Sequence, residues 1–417
     1  MTSHRKGPPF IWRNYILFSI DGGLFMGGMA FLSSETVLPS IIKDLGGSAW
    51  LISFMPVMMT LGWVLPPIFT AHFVERLHKV KRFTLTLGIF QRIPYIFAAL
   101  MLMFYKDAPP FLLLCIVASA PFISGFLGGI GAGAFGELTA RLIPSNRLAS
   151  VYSLRFIITV LIGLAAGFAV KDILTIFPGV FGYGILHLIA FGFLCLAWFA
   201  LAMTEDEHVP EKKQAAKHVD MMDNLSNVPV IIRNDPRLRN YLLMAFFGTG
   251  NFIFIPFLAI YALETLGRDL SFTGVLLIAQ MLGGITGNLA AGLIGDYIST
   301  KRVIIISRIC MMAVCMAIPF SGSEMMFLGV FFLYGAAFFM DRVGVMTMAN
   351  QISPVEKRPT YLSIITFNGF PAMVSAALLS TLLQVMFNSI IPAAMIAISA
   401  MMVSLFFVLK IKEEKNA

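Results

Sequence analysis

Twelve apolar runs dominate this sequence: 14–38, 50–71, 83–104, 111–135, 149–170, 180–202, 240–262, 272–295, 303–319, 325–346, 360–385 and 390–410. Most reach the roughly 20 residues that carry an α-helix across the ~30 Å hydrocarbon core of a bilayer. Lipid offers no water to backbone polar groups, so each run is predicted to be helical. The short alternating segments of a β-barrel do not occur. Charged residues make up only 12% of the chain and hydrophobic ones 58%, against about 25% charged in soluble domains. An all-α, multi-pass membrane protein follows. A soluble enzyme, a nucleic-acid binder and a disordered chain are excluded.

The connections between runs set the orientation. Odd-numbered connections are short and carry 4 Lys/Arg against 6 Asp/Glu. The even-numbered connections and the termini, with Arg308 counted among them, carry 24 against 14. Basic residues stay on the cytoplasmic side, so both termini are predicted to be cytoplasmic, in an inner membrane. The net charge of +8 is then a topology signal, and the expected partner is the lipid bilayer rather than nucleic acid. Residues 1–13 are short, basic and broken by Pro8 and Pro9; no cleavage site follows, so the first run reads as a permanent span. The four cysteines all lie inside apolar runs without a CxxC or a His partner, so neither a disulfide framework nor a metal site is expected.

One connection is long. Residues 204–239 are charged and carry Pro210, Pro229 and Pro236. They divide the chain into an N-terminal half, 1–203, and a C-terminal half, 240–417, of six spans each. The halves share landmarks. After span two comes 70-TAHFVERLHKVKR-82, and after span eight 292-GLIGDYISTKR-302; Glu75 and Asp296 are 221 positions apart, Arg82 and Arg302 220. After spans four and ten come 143-IPSNRLASVYS and 352-ISPVEKRPTYLS, with Pro144 and Pro354 210 apart. Ordered matches of this kind argue for a duplicated six-span unit.

With these landmarks the chain resembles the major facilitator superfamily of secondary transporters, over its whole length. That family's loop after spans two and eight reads roughly G-x-x-x-D-R/K-x-G-R-R/K. Residues 292–302 follow it through Gly292, Asp296, Lys301 and Arg302; residues 70–82 depart from it, with Glu75 for aspartate and His78 for glycine. The resemblance implies twelve helices in two pseudo-symmetric six-helix bundles. It also implies a cytoplasmic latch built on Glu75, Arg76, Gly292, Asp296, Lys301 and Arg302. A carboxylate there accepts bonds from a facing helix N-terminus and from arginine; a solvated turn that only sets topology is the alternative.

Charges inside spans are the candidate chemistry, since each costs about 2.5–3.5 kcal/mol at a span centre. Four are evident: Asp21 and Glu35 in span one, Arg92 in span three and Arg155 in span five. Asn14, Asp21, Gly28 and Glu35 recur every seven residues, on one stripe that drifts only about 20° per heptad; this stripe is expected to face the central pathway. Asp21 and Arg155 lie at similar depth, roughly 10 Å from the cytoplasmic edge. In the resembled fold spans one and five are neighbours, so the two are expected to pair. Arg155 would then hold an anionic group while Asp21, with Glu35, takes up protons; the alternative is a fixed ion pair. Arg92 is a further substrate candidate, although third spans are peripheral in the resembled fold. The second half offers Asn251, Gln280, Asn288, Tyr361 and Asn368, so the cavity is expected to be charged in one half and amide-lined in the other.

The function read from these residues is secondary transport of a small organic, anionic or amphipathic solute by alternating access, coupled to protons, by a monomer without cofactors. A drug or lipid efflux antiporter or a metal-ion transporter of the same fold is the alternative. A membrane-embedded enzyme is the reading from another class; the scattered histidines and the lack of HExxH and GxSxG argue against it, and no Walker motif supports ATP-driven transport.

Overall fold

The computed structural model describes residues 11–206, 221–354 and 358–411, apart from positions 65, 68–69, 71–76, 78, 106 and 145–146. Among the described residues every regular element is helical. Eleven helical stretches are long and apolar enough to cross a membrane. The twelfth span begins as α3 (Ala49–Val64) and runs out of the described residues at position 65.

Span one is α1 (Trp12–Met29), a 3-10 turn (Ala30–Leu32) and α2 (Val37–Asp44). Spans three to six are α4 (Val80–Phe104), α5 (Pro110–Leu142), α6 (Leu148–Ile176) and α7 (Val180–Ala202). The short α8 (Met221–Asn234) precedes span seven, which is α9 (Pro236–Gly248), a 3-10 turn (Thr249–Ile253) and α10 (Ile255–Leu266). Spans eight to twelve are α11 (Phe272–Tyr297), α12 (Thr300–Ala317), α13 (Glu324–Ile352), α14 (Arg358–Phe387) and α15 (Ile391–Lys410).

Two spans are not the continuous helices that their apolar runs predict. Span one breaks at residues 30–36 and span seven at 249–254, about 219 positions apart. Pro39 in α2 and Pro256 in α10 have no N–H to donate one turn back, which removes a rung at Glu35 and Phe252; proline alone does not set the breaks, since Pro94, Pro121 and Pro371 lie inside continuous helices. Leu38 instead donates to the Ser33 carbonyl at 2.9 Å. Breaks at corresponding places in the two halves are a recurrent pointer to transport sites.

The chain divides into two compact units, residues 1–47 with 58–212, and residues 213–417 with 48–57. The same helix crossings recur inside each. In the first unit Gly62 of α3 lies against the Phe122 carbonyl of α5, and Gly125 of α5 against the Met59 carbonyl. In the second, Gly283 of α11 lies against the Phe332 carbonyl of α13, and Gly335 against the Gln280 carbonyl. These contacts are related by the sequence offsets 221 and 210 that join the landmark loops. Only a residue without Cβ lets the backbones approach this closely.

Candidate functional site

In the first unit Asp21 of α1 meets Arg155 of α6. The guanidinium Nη2 stands 3.7 Å from the Asp21 carboxylate, and the side chains are 17% and 7% exposed, arginine first. Gly22 makes the approach possible, because a Cβ there would fall inside the guanidinium; Gly23 and Gly27 likewise admit Ile158 and Ile162 of α6. The rings of Phe18, Tyr152 and Phe135 surround Arg155, with centroids 4.7, 5.6 and 5.9 Å from its Cζ. Such rings hold a cation without spending its N–H donors. Among the described residues neither Asp21 nor the Arg155 guanidinium makes a hydrogen bond, so the pair is held by charge alone. Both groups keep their hydrogen-bonding capacity for something else.

The seven-residue stripe of span one does not face an open pathway as expected. Asn14 is clamped to the backbone of Glu205, donating at 2.8 Å and accepting at 2.7 Å. Gly28 packs against Phe193 and Ala190 of α7. At Asn14, Asp21 and Gly28 the stripe is therefore packed on neighbouring chain, and Asp21 meets the charge of Arg155. Glu35 stands on the break of span one, half-buried, with the Ser33 and Ser34 hydroxyls 3.4 Å from its carboxylate.

Arg92 is buried and spent on backbone. Its Nε donates to the Leu194 carbonyl of α7 at 2.6 Å and its Nη1 to the Gly88 carbonyl. It braces span three against span six. His187, also buried, is satisfied by the Tyr183 carbonyl at 2.7 Å.

The second unit corrects the charge pattern read from sequence. Arg308, counted with the cytoplasmic residues, is buried in α12, and Asp341, counted with the loop after span ten, lies within α13. Arg308 Nη1 is 3.0 Å from Asp341 Oδ1, with side chains 3% and 22% exposed. The Ser307 hydroxyl donates to the same oxygen at 3.1 Å. Arg308 also donates to the Ser404 hydroxyl at 3.1 Å and to the Gly248 carbonyl at 3.4 Å, where span seven breaks. The second half is thus charged too, rather than lined by amides alone. The signal that would have found this pair is in the sequence: Arg308 and Asp341 lie inside the apolar runs 303–319 and 325–346.

The amide and hydroxyl candidates do not converge. Asn288 donates to Gly284 of its own helix at 2.8 Å. Asn368 donates to the Leu242 carbonyl at 3.0 Å. Tyr361 donates at 2.8 Å to Asp235, which also caps the start of α9. Asn251 is buried in the 3-10 turn of span seven. Gln280 is buried in α11, and among the described residues its Oε1 has no hydrogen-bond partner.

Of the latch residues, Glu75 and Arg76 lie outside the described residues, as does the side chain of Asp296. Gly292 has open space where a Cβ would stand. Arg302 contributes its backbone N–H to the Ser299 hydroxyl at 3.1 Å, starting α12. Lys301 reaches the last carbonyls of span twelve, Leu409 and Ile411, both at 2.9 Å. Lys81, 220 positions earlier and not singled out by the sequence, does the same for span six through Ala202 at 2.9 Å and Thr204. A cation at a helix C-terminus satisfies orphan carbonyls and complements the helix dipole.

Residues 240–417 match the family model described as Major Facilitator Superfamily. No curated protein matches the chain. Among solved structures the chain is similar to the D-xylose-proton symporter, at 14% identity and TM-score 0.74 over 98% of this chain and 99% of that one. It is similar to a mutant form of the nucleoside transporter NupG, at 14% identity and TM-score 0.70 over 96% and 100%. It is also similar to a bacterial homolog of the human lysosomal transporter Spinster, at 13% identity and TM-score 0.62 over 97% and 98%. The whole chain has the fold of these transporters, and its second half carries the superfamily's sequence pattern.

Proposed function

We propose that this chain is a secondary active transporter of the major facilitator superfamily that moves a small organic anion by alternating access, coupled to protons. Two halves, 1–203 and 240–417, joined by the linker 204–239, exchange between two states. One observation carries the reading: Asp21 and Arg155 form a mid-span ion pair with no other hydrogen bond among the described residues. A buried pair held by charge alone is poor cement, because desolvation offsets the attraction; it is well suited to exchanging partners. Arg155 offers a planar fork to a carboxylate or phosphate. When a solute anion takes that fork, the cation that keeps Asp21 ionised is partly neutralised, and Asp21 accepts a proton more readily. Release of the proton restores the pair and expels the solute. By linkage, proton and solute must each alter the other's affinity equally.

The test is uptake into proteoliposomes under an imposed pH gradient, across a panel of carboxylates and organic phosphates. Asp21→Asn is expected to abolish gradient-driven accumulation while leaving solute exchange without a gradient. Arg155→Gln is expected to weaken solute binding itself. Full gradient-driven accumulation in Asp21→Asn would reduce the pair to a structural one. The inner-membrane orientation is tested alongside: cysteines placed at Asp107 and Arg268 should react with impermeant reagents only from outside, and one at Lys213 only from inside.

A further inference from the structure

Arg342 lies beside Asp341 on α13, ten residues before the end of that helix at Ile352, or about 15 Å along its axis. It is exposed, and among the described residues no carboxylate pairs with it. Its guanidinium sits over the ring of Phe338, 4.9 Å from the centroid. Phe338 is one turn toward the far end of the helix, so the side chain leans away from the nearer helix end. This is the ordinary N-terminal lean of a helical side chain, and here it carries the guanidinium further from the nearer helix end.

The other faces of α13 at this level are occupied. Asp341 meets Arg308 of α12. Met340 packs with Ala291 of α11. The Val345 carbonyl accepts from Tyr241 of α9 at 3.0 Å. Arg342 points into the gap these leave, and Met346, one turn on, is exposed on the same side. A guanidinium turned to hydrocarbon within a span is unfavourable, which favours water over lipid in that gap.

We infer that Arg342 is an anion-binding residue of the second unit, facing an aqueous pathway and taking the carboxylate or phosphate of a small organic solute. The inference rests on the transporter reading and adds a residue of span ten that the sequence reading did not single out. The Phe338 ring, itself buried, holds the guanidinium without using its N–H donors, which leaves the fork for a planar anion. Because Asp341 is already bonded to Arg308 and Ser307, it does not compete for Arg342.

The experiment measures thiol reactivity at Met346→Cys in the full chain in neutral phosphatidylcholine vesicles, with the four native cysteines replaced by alanine. Two water-borne methanethiosulfonates are compared, one sulfonated and one carrying trimethylammonium. With Arg342 present, both should react. The anionic-to-cationic rate ratio should fall about tenfold in Arg342→Gln and recover in Arg342→Lys. Millimolar inorganic phosphate, as the probe anion, should slow the sulfonated reagent only when the cation is present. If the cysteine-free background does not fold, the same ratios are read against labelling of the wild-type chain. No reaction at Met346→Cys would place this face in lipid and overturn the inference. An unchanged ratio in Arg342→Gln, or a ratio effect seen only after anionic phosphatidylglycerol is added, would overturn it too, the latter by making a lipid headgroup the anion. None of these readings depends on gradient-driven uptake, so failure of the Asp21 coupling and failure of Arg342 are separately visible.

Discussion

The two halves repeat their braces and differ in their charges. Lys81 and Lys301 cap the sixth span of each half; Arg92 and Arg308 reach into the middle of that span, at Leu194 and Ser404, which are 210 positions apart. The glycine crossings repeat as well. The carboxylates do not. In the first half the arginine of the third span is spent on carbonyls, and the acid sits on span one opposite Arg155. In the second half the third-span arginine itself takes an acid, Asp341 of span ten. The position 220 beyond Asp21 is Tyr241, and the position 210 beyond Arg155 is Ile365. Backbone-to-backbone distances tie the glycine crossings to the helix geometry of the duplicated unit. Charges hang on side chains and move with single residues.

The difference also separates a loose pair from a fastened one. Asp21 and Arg155 stand 3.7 Å apart, and among the described residues neither the carboxylate nor the guanidinium makes a hydrogen bond; aromatic rings flank the arginine. Arg308 is held by Asp341, Ser404 and Gly248, and Asp341 by Ser307 as well. The loose pair is suited to exchange, the fastened one to stability.

The largest expected effect is in the loose pair: Asp21→Asn should remove all gradient-driven accumulation while thermal unfolding of the purified protein stays within a few degrees of wild type. A large loss of stability would make the two pairs alike and break the comparison. Next, Arg308→Ala should cost about 3 kcal/mol, the low end for a broken buried pair because Asp341 keeps some exposure. Thermal or denaturant unfolding reads this, and a neutral result would show that Arg308 is not the anchor its bonds describe.

The repeat itself is sharpened by Gly62→Ala and Gly283→Ala. Each puts a methyl against a facing carbonyl, and each should cost about 1–3 kcal/mol; very different losses would mean that one crossing relaxes and that the halves are less alike than their contacts. The smallest effects belong to the caps. Lys81→Ala and Lys301→Ala should each cost about 1 kcal/mol, and equal shifts in the unfolding midpoint are the expected outcome.

How much was legible divides along the same line. The apolar runs placed eleven spans within about six residues at each end, since hydrophobicity reports which backbone must leave water. Asp21 and Arg155 were legible because each interrupts the middle of a run and the helix rise fixes their depth. The offsets 221 and 210 were legible from loops and reappear in the crossings. Arg308, Asp341 and Arg342 lie four or five residues inside their runs and were as legible by depth, but the charge count groups them with the cytoplasmic residues. The breaks at 30–36 and 249–254 were missed because the residues that surround them are themselves largely apolar.

The sequence by itself determined which segments lie in the membrane, that the chain is a doubled six-span unit, and which charges lie deep. Tertiary structure alone decided whom those charges meet. Depth is a one-dimensional quantity that a run of residues encodes directly. Direction around a helix becomes a contact only when a neighbour is fixed beside it, and so Asn14 turned to Glu205, Arg92 to a carbonyl, and Asp21 to Arg155.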